Sequence, residues 1–218
     1  MKAKNRIEDN GNDKELEVLR AQARINLLKI EPRLLRVRVR GISPLIQHAW
    51  SVKAVKMMEA AQQKKAKKGR EPKNPDEEYD GCFYTDEEGR ACVPASAFKK
   101  AMVAAATAID DKVNFPKTKI RQCVFVVGSL LPIDSRTGPK RRTDPVRLGG
   151  TTADIRYRPE FVDWAIDLTL QYNASVLSSE QVVNLLNLAG FGVGIGEWRP
   201  EKDGDFGRFE VETTLPVT

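Results

Sequence analysis

The segment LLRVRVRGI, from Leu34 to Ile42, constrains the fold most. Leu35, Val37 and Val39 alternate with Arg36, Arg38 and Arg40, the period of a strand with one buried and one open face. Gly41 and Pro44 end it. Three cations of one sign in register repel one another without a counter-charge. The open face therefore reads either as a solvated strand face or as a surface for phosphate.

The rest of the chain supplies partners for that strand. A short helix is expected next, with Trp50, Ala54, Met57, Met58 and Ala61 on one face. Residues 62–81 are charged and rich in Pro and Gly, and read as a mobile loop. A small hairpin is expected around Glu88-Gly89. The spacing of Phe98, Met102, Ala105 and Ile109 predicts a helix over 95–109 that starts at Pro94 and Ser96. RQCVFVVGSLLPI predicts one buried strand near 122–132. Residues 134–160 read as an extended basic loop or long hairpin. WAIDLTLQYN alternates as a strand. The stripe Val182, Leu185, Leu186 and Ala189 predicts a helix capped by Ser178 or Ser179 and stopped by Gly190. RFEVETT is the last strand.

Strand, helices, strand, strand, helix, strand is the βαββαβ order. The expected fold class is α+β, a ferredoxin-like core with a four-stranded antiparallel sheet, helices on one face, and insertions. Residues 1–30 read as a polar N-terminal extension with a helix over 13–29. Residues 31–218 read as one domain with basic insertions at 62–81 and 134–160.

The charge balance is mildly basic, with 36 Lys+Arg against 30 Asp+Glu. A basic balance favours polyanionic partners through counterion release. The cations gather in 134–160 as Arg136, Lys140, Arg141, Arg142, Arg147, Arg156 and Arg158, with Tyr157 and Phe161 nearby. Guanidinium groups bind phosphate bidentately and stack on bases. The run Lys64, Lys65, Lys67 and Lys68 reads as a solvated end or loop. Cys82, Cys92 and Cys123 make no disulfide pattern. With His48 as the one histidine they make no conventional zinc site, so no metal and no cofactor is expected. The N-terminal segment has no apolar core of a secretory signal, and no apolar run approaches a membrane span. A cytoplasmic protein is expected.

Gly190, Gly192, Gly194, Gly196, Gly204 and Gly207 crowd one segment. They do not form the dinucleotide fingerprint, which follows a strand and opens a helix, and they form no Walker A motif. A glycine-rich loop between the second helix and the last strand of a βαββαβ fold resembles the RAMP superfamily of CRISPR-associated RNA-binding proteins. VPASAFKKAMVAAA resembles that family's I-P-G-S-S-x-K-G segment, and GDFGRFEV its terminal R-G-F-G-R-V. Ala95 and Lys100 depart from the pattern, both standing where glycine is usual. The chain also looks similar to proteins of tailed-phage genomes, which would place it in a bacterial host cytoplasm. The resemblance marks Ser96, Lys99, Gly192, Gly194, Gly207 and Arg208 as positions toward RNA. It implies that 134–158 is a thumb hairpin that intrudes between bases.

Together these readings predict a non-catalytic protein that binds RNA or single-stranded DNA and assembles along it as a homo-oligomer. Its contacts would be Arg36, Arg38, Arg40, Lys99, the 134–158 cations, Gly192, Gly194, Arg208, and Trp198 with Arg199 after the loop. Two alternatives stand beside it. One is a metal-independent endoribonuclease using His48, against which stands the lack of a visible acid–base partner and the reading of His48 as a core residue beside Trp50. The other is a phage protein that binds or mimics a host CRISPR subunit, and so has protein partners.

Overall fold

A computed structural model of the chain describes residues 29–49, 52–63, 74–108, 116–148 and 152–215. Of the helix expected over 13–29, residues 13–28 lie outside these residues, as do Trp50, Ile109 and the lysines at 64, 65, 67 and 68. The second of two units, Glu31–Thr218, carries the described strands and helices.

The strands are β1 (Pro32–Gly41), β2 (Leu45–Ile46), β3 (Tyr84–Thr85), β4 (Ala91–Pro94), β5 (Val124–Val126), β6 (Leu130–Pro132), β7 (Pro139–Leu148), β8 (Thr152–Phe161), β9 (Ala165–Asn173) and β10 (Phe209–Leu215). The helices are α1 (Val52–Gln62), α2 (Pro75–Asp80), α3 (Ala95–Ala105), α4 (Lys117–Cys123) and α5 (Ser179–Gly192). This is a mixed α/β chain with three antiparallel sheets. The largest has the order β10-β1-β9-β5; the others are β2-β8-β7 and β3-β4-β6.

The alternation in β1 does what its period requires. Val37 and Val39 are fully buried, and Ile166, Leu168, Leu170 and Tyr172 of β9 lie beside them. Phe98, Ala101, Met102 and Ala105 of α3 and Val182, Leu185, Leu186 and Ala189 of α5 complete the same core. Removing each such aliphatic side chain from water is worth about 1.5–3 kcal/mol. Phe209 joins the two helices to the sheet, its ring 5.3 Å from Phe98 and 6.3 Å from Trp164. Ser178 caps α5 through a reciprocal box: its hydroxyl accepts from Gln181 N–H, and the Gln181 side chain accepts from Ser178 N–H.

Three expectations change, and of the two readings of 134–160 the long hairpin is the one observed. The single strand over 122–132 is instead the end of α4 followed by two short strands in different sheets, β5 beside β9 and β6 beside β4. Gly128, at φ 97°, turns the chain between them. The loop over 62–81 ends in a helix, α2, whose first turn is held by the Asn74 side chain accepting from Asp76 N–H. The basic insertion 134–160 is a ten-residue-per-strand ribbon, β7 paired with β8 from Pro139↔Phe161 to Leu148↔Thr152. Gly190 does not stop α5, which runs on to Gly192. A Cβ on Gly190 would lie 2.0 Å from the carbonyl oxygen of Phe209, so glycine is there to let α5 approach β10.

Candidate nucleic-acid interface

The open face of the large sheet carries the alternating arginines, and they are matched by carboxylates. Arg38 pairs with Asp134, with Asp167 at 2.9 Å and with Glu212 at 3.5 Å. Arg40 pairs with Glu210 at 2.6 Å and Glu212 at 3.9 Å. A bulge at Arg38/Val39 brings Glu212 onto this face, and the freed Val211 N–H donates to the Asn187 side chain. Two guanidinium groups thus face four carboxylates, a field that does not attract a polyanion. Arg36 sits one step along the same strand and is half-buried.

The ribbon's cations divide by face. Arg142 donates to Asp144 at 2.7 Å and Glu160 at 3.0 Å. Arg158 is 6% exposed, with Asp144 at 3.8 Å. Arg156 meets Asp154 at 3.4 Å. The guanidiniums of Arg158 and Arg142 also lie 4.8 and 5.4 Å from the Trp198 ring, which packs near Phe206. This cluster ties the ribbon to the loop after α5. Trp198, expected as a platform for bases, has arginines of its own chain on it. On the other face Arg141 lies 4.7 Å from the Tyr157 ring and 2.6 Å from Asp76. Lys140 and Arg147 are exposed and make no ion pair with another described residue. At the root, Asp163 accepts from Thr137 Oγ1, from Arg136 N–H at 3.1 Å and from Ser135 Oγ at 3.2 Å. Those hydrogen bonds, Thr137 first, pull its carboxyl down to about 2.

A cleft that joins several of the sequence motifs lies elsewhere. It measures about 270 Å³ and is walled by β2 and Gln47-His48, by the start of α3, and by the chain after α5. Ser96, Ala97, Lys100 and Ala101 line it from α3, and Val193 to Glu197 with Arg199 and Glu201 from the opposite side. Gly196, at φ 81°, would place a Cβ 2.6 Å from the carbonyl oxygen of Ile46, so only glycine closes this wall. Ile195 N–H donates to Gly207 C=O at 2.9 Å and Glu197 N–H to Ile46 C=O at 3.0 Å. Several loop amides therefore hold the chain to itself.

His48 lies in this cleft, with its side chain 37% exposed rather than in the core. Its Nδ1 is 3.0 Å from Glu197 Oε1. The histidine holds the Glu197 carboxyl below the usual glutamate range, against the opposing effect of burial. The partner that the sequence does not reveal is thus Glu197, 149 residues away. Gln47, 3% exposed, donates to Cys92 C=O at 2.6 Å, which leaves its Oε1 without a partner among the described residues.

The motif residues separate. Ser96 lines the cleft and Lys99 does not: its ammonium sits 3.7 Å from the Phe125 ring. Burial there, with Arg121 nearby, lowers its pKa. Lys100, the departure from the family pattern, is the lysine in the cleft. Arg199 lines it too, donating to Gly196 C=O and to Glu201. Gly192 has open space around it, Gly194 joins the wall, and Arg208 stands 5.0 Å from the Phe191 ring. Cys82 and Cys92 are buried free thiols, and burial pushes both up. No three metal-ligating side chains converge among the described residues, and no described helix is long and apolar enough to cross a membrane.

No family model and no curated protein matches the chain. Solved structures do. A chain of the type III-B Cmr-beta complex bound to cognate target RNA superposes with a TM-score of 0.53 over 94% of this chain, at 9% identity. The match spans 64% of that longer chain. Cmr6 from Pyrococcus furiosus gives 0.39 at 8% identity, over 84% of this chain and 100% of that one. The likeness to the Cmr-beta chain is one of fold.

Proposed function

We propose that this chain binds single-stranded nucleic acid, RNA in the first place, and that the strand crosses the cleft between α3 and the glycine-rich segment. The carrying observation is the juxtaposition of Ser96, Lys100, His48 and Arg199 with the narrow backbone wall at Gly194–Gly196. A hydroxyl, the Lys100 ammonium and an imidazole suit phosphate and ribose, Arg199 being already paired with Glu201, and the glycines at 194 and 196 let a sugar-phosphate chain come close. The core is read as ferredoxin-like βαββαβ, its order β10-β1-β9-β5 matching that arrangement. The ribbon, with Lys140 and Arg147 exposed, extends the basic surface and supports repeated binding of copies along one strand. The RNA-bound neighbour of like fold supports RNA over DNA.

Fluorescence anisotropy with single-stranded RNA and DNA of equal length tests this across a salt series. Lys100→Ala is expected to weaken binding and to reduce the salt slope by about 0.7 for each phosphate it no longer engages. Arg38→Ala/Arg40→Ala, on the carboxylate-matched face, is expected to leave the slope in place. A wild-type protein that binds neither strand ends the proposal.

A second reading is favoured by one distance, His48 Nδ1 to Glu197 at 3.0 Å in an open cleft. Glu197 orients the ring and stabilises imidazolium, so the other ring nitrogen can take a proton from a ribose 2′-hydroxyl. The 2′-oxygen then attacks the adjacent phosphorus, and the bond to the 5′-oxygen breaks as that oxygen takes a proton from water. With chelator present, cleavage of RNA but not DNA, lowered about 10²–10⁴-fold by His48→Ala, supports this reading. Intact RNA in a tight complex leaves binding as the function.

A further inference from the structure

Phe191 is 66% exposed, more than any other large apolar side chain of Glu31–Thr218 among the described residues. Helix phase puts it there. The buried stripe of α5 is Val182, Leu185, Leu186, Ala189 and Gly190. At about 100° per residue, Phe191 falls about half a turn from Val182, away from the core.

Its neighbours specify the occupant. The Arg208 guanidinium lies 5.0 Å from the ring centroid. Arg208 is held by its main chain, its N–H donating to Ser43 Oγ at 2.9 Å and its C=O accepting from Ile42 N–H at 2.9 Å. It makes no ion pair with another described residue. Gly192 comes next after Phe191, with nothing within 4 Å of where a Cβ would stand. The next two residues, Val193 and Gly194, already line the cleft. An exposed aromatic, an unneutralised cation and a bare stretch of backbone therefore adjoin the cleft wall along one short segment.

We propose that Phe191 is a stacking platform for one unpaired base, with Arg208 taking the phosphate beside it. Every base has a π-face, so the site is tolerant of sequence. The cation singles out a polyanionic strand over an apolar protein surface. The proposal rests on the reading of the cleft as a strand-binding site and names a contact that lies outside it.

The test uses the full chain and oligoribonucleotides carrying 2-aminopurine at successive positions. One position is expected to be quenched on binding. Phe191→Ala is expected to lose that quenching and to weaken binding roughly 5- to 100-fold, with the salt slope unchanged. Phe191→Trp is expected to keep both. Arg208→Ala is expected to lower the salt slope by about 0.7. If the wild-type protein binds but Phe191→Ala binds equally well, the platform is refuted and the cleft reading stands. If the wild-type protein binds no oligonucleotide, both fall. If Phe191→Ala leaves binding intact but lowers the mass in light scattering, the ring is a contact between protein copies and the proposal is overturned.

Discussion

Replacing Gly190 by alanine sets two physical effects against each other at one atom. Gly190 lies inside α5, where alanine is favoured over glycine by about 1 kcal/mol through backbone entropy. On that ground the variant would be more stable. The added Cβ, however, would sit 2.0 Å from Phe209 O and 2.7 Å from Phe209 Cδ2. The obstructing atom is main chain, in a strand paired through Gly41↔Phe209, and cannot swing aside as the tip of a long side chain can. Relief requires α5 to lift from β10, and that strains the Phe98–Phe209 contact at 5.3 Å. Overpacking of this sort costs typically about 1–3 kcal/mol, and more where backbone must move. We expect a net loss of about 1–2 kcal/mol, which for a chain of this size lowers Tm by roughly 2–8 °C. Gly192→Ala is the control in the same helix. It has nothing within 4 Å of its Cβ, and is expected to hold or raise Tm by a fraction of the propensity difference. Thermal unfolding measured by circular dichroism reads both. If Gly190→Ala moves Tm upward with Gly192→Ala, the close approach of α5 to β10 is wrong.

Two further outcomes rest on charge. The folded-state carboxyl of Asp163 is held down to about 2, so its stabilisation is present above the usual aspartate range and is lost as pH falls toward 2. Asp163→Asn should therefore flatten the acid-unfolding profile between about pH 4 and 2, measured by Tm against pH; a profile parallel to the wild type would remove this carboxylate from the ribbon's root. Arg158→Met should destabilise the chain by about 1–3 kcal/mol, because Asp144 is left buried with Arg142 as its one cation among the described residues. Adding Asp144→Leu should recover part of that loss, and a strictly additive double variant would show that the two side chains do not interact.

The elements legible in the sequence are those whose neighbours in space are repeated along the chain. β1 and β9 alternate because each has one core face, and α5 shows its stripe because Val182, Leu185, Leu186 and Ala189 all enter one core. The run at 122–132 is illegible because a continuous apolar stretch carries no period. Phe125 and Val127 in it are 45% and 46% exposed, and the change of sheet is made by the backbone at Gly128. α4 leaves no signal because it buries a single residue, Ile120, and so shows no stripe.

The candidate site is harder to read, for a reason its own charges make clear. A run of arginines records how many cations a strand carries and nothing about what neutralises them. The carboxylates facing Arg38 arrive from Asp134, from β9 and from the bulge in β10, each placed by the sheet rather than by local pattern. Arg158 is likewise met by Asp144 across the ribbon. His48 and Glu197 meet because β2 and the segment after α5 line the same cleft. A one-residue shift decides the lysine: Phe98, Ala101 and Met102 face the core, so the phase of α3 sends Lys100 to the cleft and Lys99 to Phe125. On the proposed reading, the cations to test are those that folding leaves unmatched. Lys100, Arg208 beside Phe191, and Lys140 and Arg147 on the ribbon are among the cations that make no ion pair with another described residue, whereas Arg38 and Arg40 on the sheet face are matched.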